Sequence, residues 1–333
     1  MASVPLQSSA PGKVILFGEH AVVYGRPAIA VPVTQVRATV TAATAPPASG
    51  LTLVASDLAA DTPHPADSPR PADSPRPMQF ALATAPEDEP LSAAARLTLA
   101  HLSAPEPDAT LTISSTIPIA SGMGSGAAVS AALIRALAAF LGRTLEPSET
   151  SELVFKIEKI HHGTPSGIDN TVVVYERPVF FVRGQPIERL SVAAPFTLII
   201  ADTSIPSSTK VAVEHVRRAW TRTPAHYDAL FDQIGDLADE ARRAIETGDS
   251  EALGALMSEN HALLIELDVS SPELDELVDV ARFAGAQGAK LSGAGLGGNI
   301  IALVEDELAV EVEEALIEAG AKRVIRTMVS ATE

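Results

Sequence analysis

Lys13, Glu19 and His20 stand close together in "APGKVILFGEHAVVYGRPAIAVPV", residues 10–33, which otherwise reads as buried strand. A lysine set among apolar strand residues is costly unless a partner takes its charge, so Lys13 demands one. Two glycine-rich stretches add a second kind of chemistry. "SGMGSGAAVS" (121–130) lies between a predicted strand and an apolar helix. That placement aims several backbone N–H groups and the positive helix end at one spot, which suits phosphate. A Walker-type loop requires a lysine that the stretch lacks. Gly122, Gly124 and Ala127 would satisfy a dinucleotide G-x-G-x-x-A, but the long β-rich stretch before them and the acids after them, Glu146 and Glu149 in "EPSETSEL", do not fit that unit. "GAGLGG" (293–298) matches G-x-G-x-x-G, yet strand-like "NIIALV" follows where a helix is required. Taken singly, either loop is equally compatible with glycines that only make tight turns. Adjacent His161 and His162 point about 100° apart on a helix, which excludes a shared metal.

The elements that must position these groups follow from composition and pattern. At 333 residues the chain exceeds what one core usually serves, so two domains are expected. Net charge is −18, which argues against a nucleic-acid partner or an acidic membrane surface. A local cluster of lysine and helix N-termini still admits an anionic small substrate. Cysteine is absent, excluding disulfides, thiolate zinc and cysteine nucleophiles. "MASVPLQSSAPGK" has no apolar signal core, and the apolar helix at 127–141 is interrupted by Arg135 and too short to span a bilayer. A soluble, cytoplasmic protein is expected.

"VILFG", "AIAVPV", "RATVTAAT" and "ATLTISSTIPI" read as strands, and "SELVFKIEKIHHG" as an amphipathic helix with Leu153, Ile157 and Ile160 on one face. "TVVVYERPVFFVRG" reads as two strands around a Glu-Arg-Pro turn, and "FTLIIAD" as another strand. Residues 209–286 read as mostly helical, and the chain ends in strand, helix and strand. A boundary is placed near 190. "PADSPR" occurs twice in a proline-rich run at about 61–77, read as an exposed insertion, or else as a proline-rich arm for a partner.

Taken together, "PGKVILFGEHAVVYG", "PIASGMGSGAA" and "KLSGAGLGGN" resemble, in order and spacing, the three signatures of the GHMP kinase superfamily. "GEHAVVYG", "HHGTPSGIDN" and "LMSENHALLIELDVSSPELDEL" are similar to its mevalonate kinase family. The resemblance extends from about Pro11 to Val304. It implies an α+β fold of two domains, ribosomal-S5-like over 1–190 and ferredoxin-like over 191–333, with the active cleft between them. It implies ATP-dependent phosphorylation of the C5 hydroxyl of (R)-mevalonate, assisted by Mg²⁺ and without a covalent enzyme intermediate.

Carried over residue by residue, the resemblance makes Asp169 the catalytic carboxylate, with Lys13 beside it and the substrate hydroxyl. A turn or capping aspartate is the alternative for Asp169. Pro118, Ser121, Gly122, Met123, Gly124, Ser125, Gly126 and Ala127 would hold ATP. Ser125 and Glu158, eleven residues before Asp169, would hold Mg²⁺. Many relatives have Ser-Ser where this chain has Ser125-Gly126, so the loop ligand falls to Ser125 or a water. Glu19, His20, Thr209, Gly293 and Ala294 would face the acceptor, with Lys210 a further positive charge and Ser292 a candidate contact. The loop Gly293–Gly298 would close over the phosphates and link the domains. A homodimer is left open. Two rivals remain: a sibling kinase for phosphomevalonate or a sugar, and a non-catalytic metabolite sensor using the proline-rich arm.

Overall fold

The computed structural model describes residues 6–55, 78–118, 121–162, 165–207 and 209–330. The proline-rich segment at 61–77 and the side chains of His161 and His162 lie outside the described residues. The elements run β1 (Leu6–Phe17), β2 (Ala28–Thr44), β3 (Leu51–Ala55), β4 (Met78–Ala81), α1 (Pro90–His101), β5 (Ala109–Ser115), α2 (Ser125–Phe140), α3 (Pro147–His162) and α4 (Ile168–Tyr175). They continue with β6 (Val179–Phe181), β7 (Glu188–Arg189), β8 (Phe196–Asp202), α5 (Thr209–Arg222), α6 (Pro224–Thr247), α7 (Ser250–Glu266) and α8 (Pro272–Phe283). Last come β9 (Gly288–Ser292), β10 (Asn299–Val304), α9 (Ala309–Glu318) and β11 (Arg323–Val329). Two compact units result, one of residues 1–10, 36–117 and 126–164, the other of residues 11–35, 118–125 and 165–333.

In the first unit the strand order is β4-β3-β5-β2, with β3 parallel to β5 and the other pairs antiparallel. Alternating burial along "LTLVA" follows from the two-residue pleat, which sends Leu51, Leu53 and Ala55 to one buried face. Helix α1 starts at Glu89, whose carboxylate accepts the Leu91 and Ser92 N–H groups, with Pro90 at the first helical position. At the start of α3, Glu149 reaches back to accept the Glu146 N–H at 2.9 Å, so these acids cap a helix. Leu153 and Ile157 of α3 are buried as the apolar stripe requires, whereas Ile160 stays 48% exposed.

In the second unit the order is β11-β8-β10-β9, all antiparallel, with Ile300 opposite both Ala201 and Leu291. The first residues of β2 pair with β6, Ile29 opposite Phe180. "AIAVPV" and "RATVTAAT" belong to one 17-residue strand. Pro32, which has no N–H to give, falls between the stretch paired with β6 and the stretch paired with β5.

One expectation is overturned here. "TVVVY" is not a strand but most of α4, and only "VFF" is extended. Its valines favour strand by propensity, but Ile168, Val172, Val173 and Val174 are all buried, and burial outweighs a few tenths of a kcal/mol per β-branched residue. Gly167 (φ 97°) starts the helix, and the Thr171 hydroxyl donates back to the Gly167 carbonyl at 2.8 Å. Glu176, at φ 54°, ends it.

Candidate active site

Lys13 sits in β1, which is buried continuously from Ala10 to Phe17. Its side chain is 4% exposed, and its ammonium lies 2.9 Å from Asp169 Oδ1. Asp169 occupies the first turn of α4, a position that the helix dipole favours for a carboxylate. Forming α4 as a helix therefore places this acid: in a strand it would lose the N-terminal N–H groups beside it. Asp169 remains 30% exposed, so the pair has one covered partner and one that faces out.

The loop before α2 is fastened to the same strand. The Lys13 N–H donates to the Met123 carbonyl at 3.0 Å, and Met123 is buried. Ser121 donates to the carbonyl of buried Pro118 at 2.9 Å. Gly124 has φ 70°, and a Cβ there would lie 2.9 Å from Lys13 Cγ. Glycine thus leaves room for the lysine stem. Gly122, by contrast, is exposed, with open space where a side chain would be. An anion can approach the main chain there closely.

The third loop, between β9 and β10, is held from several sides. Asn299 donates to the Ser121 carbonyl, joining this loop to the second one. The Leu296 N–H donates to Val269 and the Gly298 N–H to Ile205, at 2.8 and 3.0 Å. A Cβ on Gly295 would fall 1.9 Å from the Val269 carbonyl oxygen, so the glycine there answers to packing against the chain itself. Ser292 Oγ donates to the Ile15 carbonyl at 2.8 Å and accepts the Ile15 N–H at 3.2 Å.

His20, at φ 60° and 6% exposed, donates from Nε2 to the Ala294 carbonyl at 2.9 Å. A carbonyl only accepts, so the neutral ring carries its proton on Nε2 and leaves Nδ1 as an acceptor. Burial holds the imidazole below the usual histidine range, opposed by that hydrogen bond. Glu19 has no exposed side-chain surface, and its Oε1 is bonded to Lys290, equally enclosed. Burial pushes Glu19 up and Lys290 down, and their mutual attraction opposes both shifts. Glu19 is therefore enclosed with Lys290 as its charged partner.

Thr209 opens α5 and is exposed, as is Lys210. Gly293 and Ala294 are half-buried on the third loop. Gly126, Ala127 and Glu158 belong to the first unit, where Glu158 is buried on α3. Among the described residues no group of three or more acidic or histidine side chains could hold a metal alone. Mg²⁺ does not need one, since one or two protein oxygens suffice when phosphate and water complete its octahedron. The Ser125 hydroxyl and the Glu158 carboxylate are donors of that hard-oxygen kind. Lys290 and Asn299 were absent from the expected site. "AKLSG" does carry a signal for Lys290, the same isolated lysine in an apolar strand that marked Lys13.

Comparisons with known proteins identify the family. The chain matches the GHMP kinases N terminal domain over residues 90–177 and the GHMP kinases C terminal domain over residues 241–322. It is 35% identical to the mevalonate kinase of Thermococcus sibiricus over 326 residues, covering 96% of this chain and 94% of that one. The crystal structure of L. major mevalonate kinase in complex with R-mevalonate superposes with a TM-score of 0.79 at 28% identity, covering 99% of this chain and 97% of that one. For Methanococcus jannaschii mevalonate kinase the TM-score is 0.81 at 26% identity, with 99% of each chain covered. With both family domains matched and more than nine-tenths of the chain aligned to such a relative, the protein belongs to the GHMP kinases and, within them, to the mevalonate kinase family.

Proposed function

We propose that the protein transfers the γ-phosphoryl group of ATP to the C5 hydroxyl of (R)-mevalonate, giving 5-phosphomevalonate and ADP. One observation carries the reading above the others: Lys13 Nζ and Asp169 Oδ1 lie 2.9 Å apart, against the Gly124 turn. The relatives named mevalonate kinase support the choice of acceptor.

In this reading the acceptor's C5 oxygen attacks the γ-phosphorus while the bond from that phosphorus to the ADP oxygen breaks. Asp169 takes the hydroxyl proton. Phosphoryl transfer asks little of its base until late, because the transition state is loose, so positioning and charge compensation dominate. Lys13 supplies the compensating cation, favouring alkoxide character at the attacking oxygen. Main-chain N–H groups of the loop Ser121–Ser125 cradle the phosphates, and α2 adds its positive end. His20 Nδ1 and Thr209 are the hydrogen-bonding groups for the acceptor. Ser125 would supply an oxygen to Mg²⁺, which when bound screens the phosphate charge and orients the nucleotide.

A coupled ADP-release assay with (R)-mevalonate and MgATP tests the proposal. Turnover that requires mevalonate is the expected result. Turnover of another alcohol with none of mevalonate would overturn the acceptor, and inactivity with every acceptor would overturn the kinase reading.

A further inference from the structure

Residues 290 and 292 alternate along β9, so the two-residue pleat turns both side chains toward one side, and Ala294 follows on the loop just beyond. Each makes a bond to the first motif. Lys290 holds Glu19, the Ser292 hydroxyl brackets the Ile15 main chain, and the Ala294 carbonyl accepts from His20. Lys290 also donates to the Leu291 carbonyl at 2.8 Å, which fixes where its ammonium points. Glu19 lies directly before His20 in the chain and is close enough to Lys13 for that charge to act on it.

Stability does not account for such a pair. Two charges with no exposed surface lose most of their attraction to desolvation, and apolar side chains of similar volume often serve as well or better. What an apolar pair cannot supply is direction. Glu19 Oε2 is buried with no hydrogen-bond partner, so the carboxylate is held through Oε1 alone. We propose that Lys290 is a positioning residue of the phosphoryl transfer: through Glu19 it fixes the His20 turn, and through that turn the place where the acceptor is held. The inference rests on the kinase reading above and adds a residue to its acceptor side.

Charged and titratable groups around the pair are few: Lys13 from β1, His261 from α7, which feels Lys290, and His215 from α5, which faces His20. The test compares E19Q and K290M with the apolar double variant E19L/K290M. Each single variant is expected to raise KM for mevalonate at least about tenfold while KM for ATP stays within about twofold, because only the acceptor side loses its support. The double variant is expected to recover thermal stability yet keep the raised KM for mevalonate. A double variant with wild-type KM for mevalonate, or single variants that raise both KM values alike, would overturn the proposal. If the single variants do not fold, the double variant decides alone.

A second readout needs no substrate. The ¹⁵N signals of His20 should show a fixed Nε2–H tautomer in the wild type and tautomer exchange in the variants. An unchanged tautomer in all three would overturn the inference even if the wild type proved inactive on mevalonate. Loss of the tautomer in a protein inactive on mevalonate would instead leave the positioning role standing and count against the choice of acceptor.

Discussion

Among the described residues, two lysine–carboxylate pairs of the second unit differ chiefly in their access to water. Lys13 and Asp169 meet at 2.9 Å with the lysine covered and the aspartate 30% exposed. Lys290 and Glu19 meet with neither exposed at all. An acid that must take a proton from a ligand needs a free lone pair and a route to it, which only Asp169 has. An acid enclosed with its partner is suited to holding its neighbours in place. In the proposed function the comparison separates a pair that reacts from a pair that positions, although both began as single charges among apolar residues.

The largest expected effect tests the reacting pair. Asp169→Asn keeps the size and most hydrogen bonds of the side chain but cannot take the proton. It should lower kcat by about two orders of magnitude or more, with the fold and ATP binding retained. Near wild-type single-turnover rates would erase the distinction drawn here. Next comes the space around Lys13. A Cβ at Gly124 would press on the lysine stem at 2.9 Å, and φ 70° suits glycine, so Gly124→Ala should cost about tenfold in kcat through a displaced ammonium. Steady-state kinetics alongside a thermal melt would separate that loss from unfolding.

A third test concerns the enclosed region. Burial lowers the pKa of His20 and of His261, whose Nδ1 accepts the Leu291 N–H at 3.3 Å. Below the ordinary value of 6.5 the unfolded chain binds protons that the folded one refuses. The stability these rings allow is therefore complete above that pH and lost as pH falls below it. In urea titrations between pH 5 and pH 7, H261Q should flatten the pH dependence by up to about 1.4 kcal/mol per pH unit. An unchanged slope would remove His261 from the enclosed cluster. The smallest effect belongs to a surface pair: Arg326 and Glu313 form two 2.7 Å bonds in solvent, and R326A should cost under about 1 kcal/mol and leave kinetics unaltered.

Local signals made much of this legible in advance. The strand at "FTLIIAD", the helices across 209–286 and the closing strand–helix–strand were readable because their apolar periods are clean and their caps carry suitable residues. Helix α4 was misread because β-branched residues favour strand when judged locally, and nothing in "TVVVY" reveals that both sides of the segment will be covered. The two glycine loops looked alike as text. In space, Gly122 faces open room while Gly295 is pressed against Val269, a difference made by a loop that is distant in the chain.

The sequence by itself determined which chemistry was available: a glycine loop fit for phosphate, an unpaired-looking lysine, an acid after "PSGI", and no cysteine. Residue type and short-range spacing are local properties, so one dimension suffices to read them. The resemblance already set Lys13 beside Asp169, and only the tertiary structure decided that Lys290 takes Glu19. Glu19 pairs with Lys290, a partner not expected from the sequence, while Asp169 pairs with Lys13. Burial and partnership depend on what the rest of the chain brings alongside, and a charge's role follows from whether water can reach it.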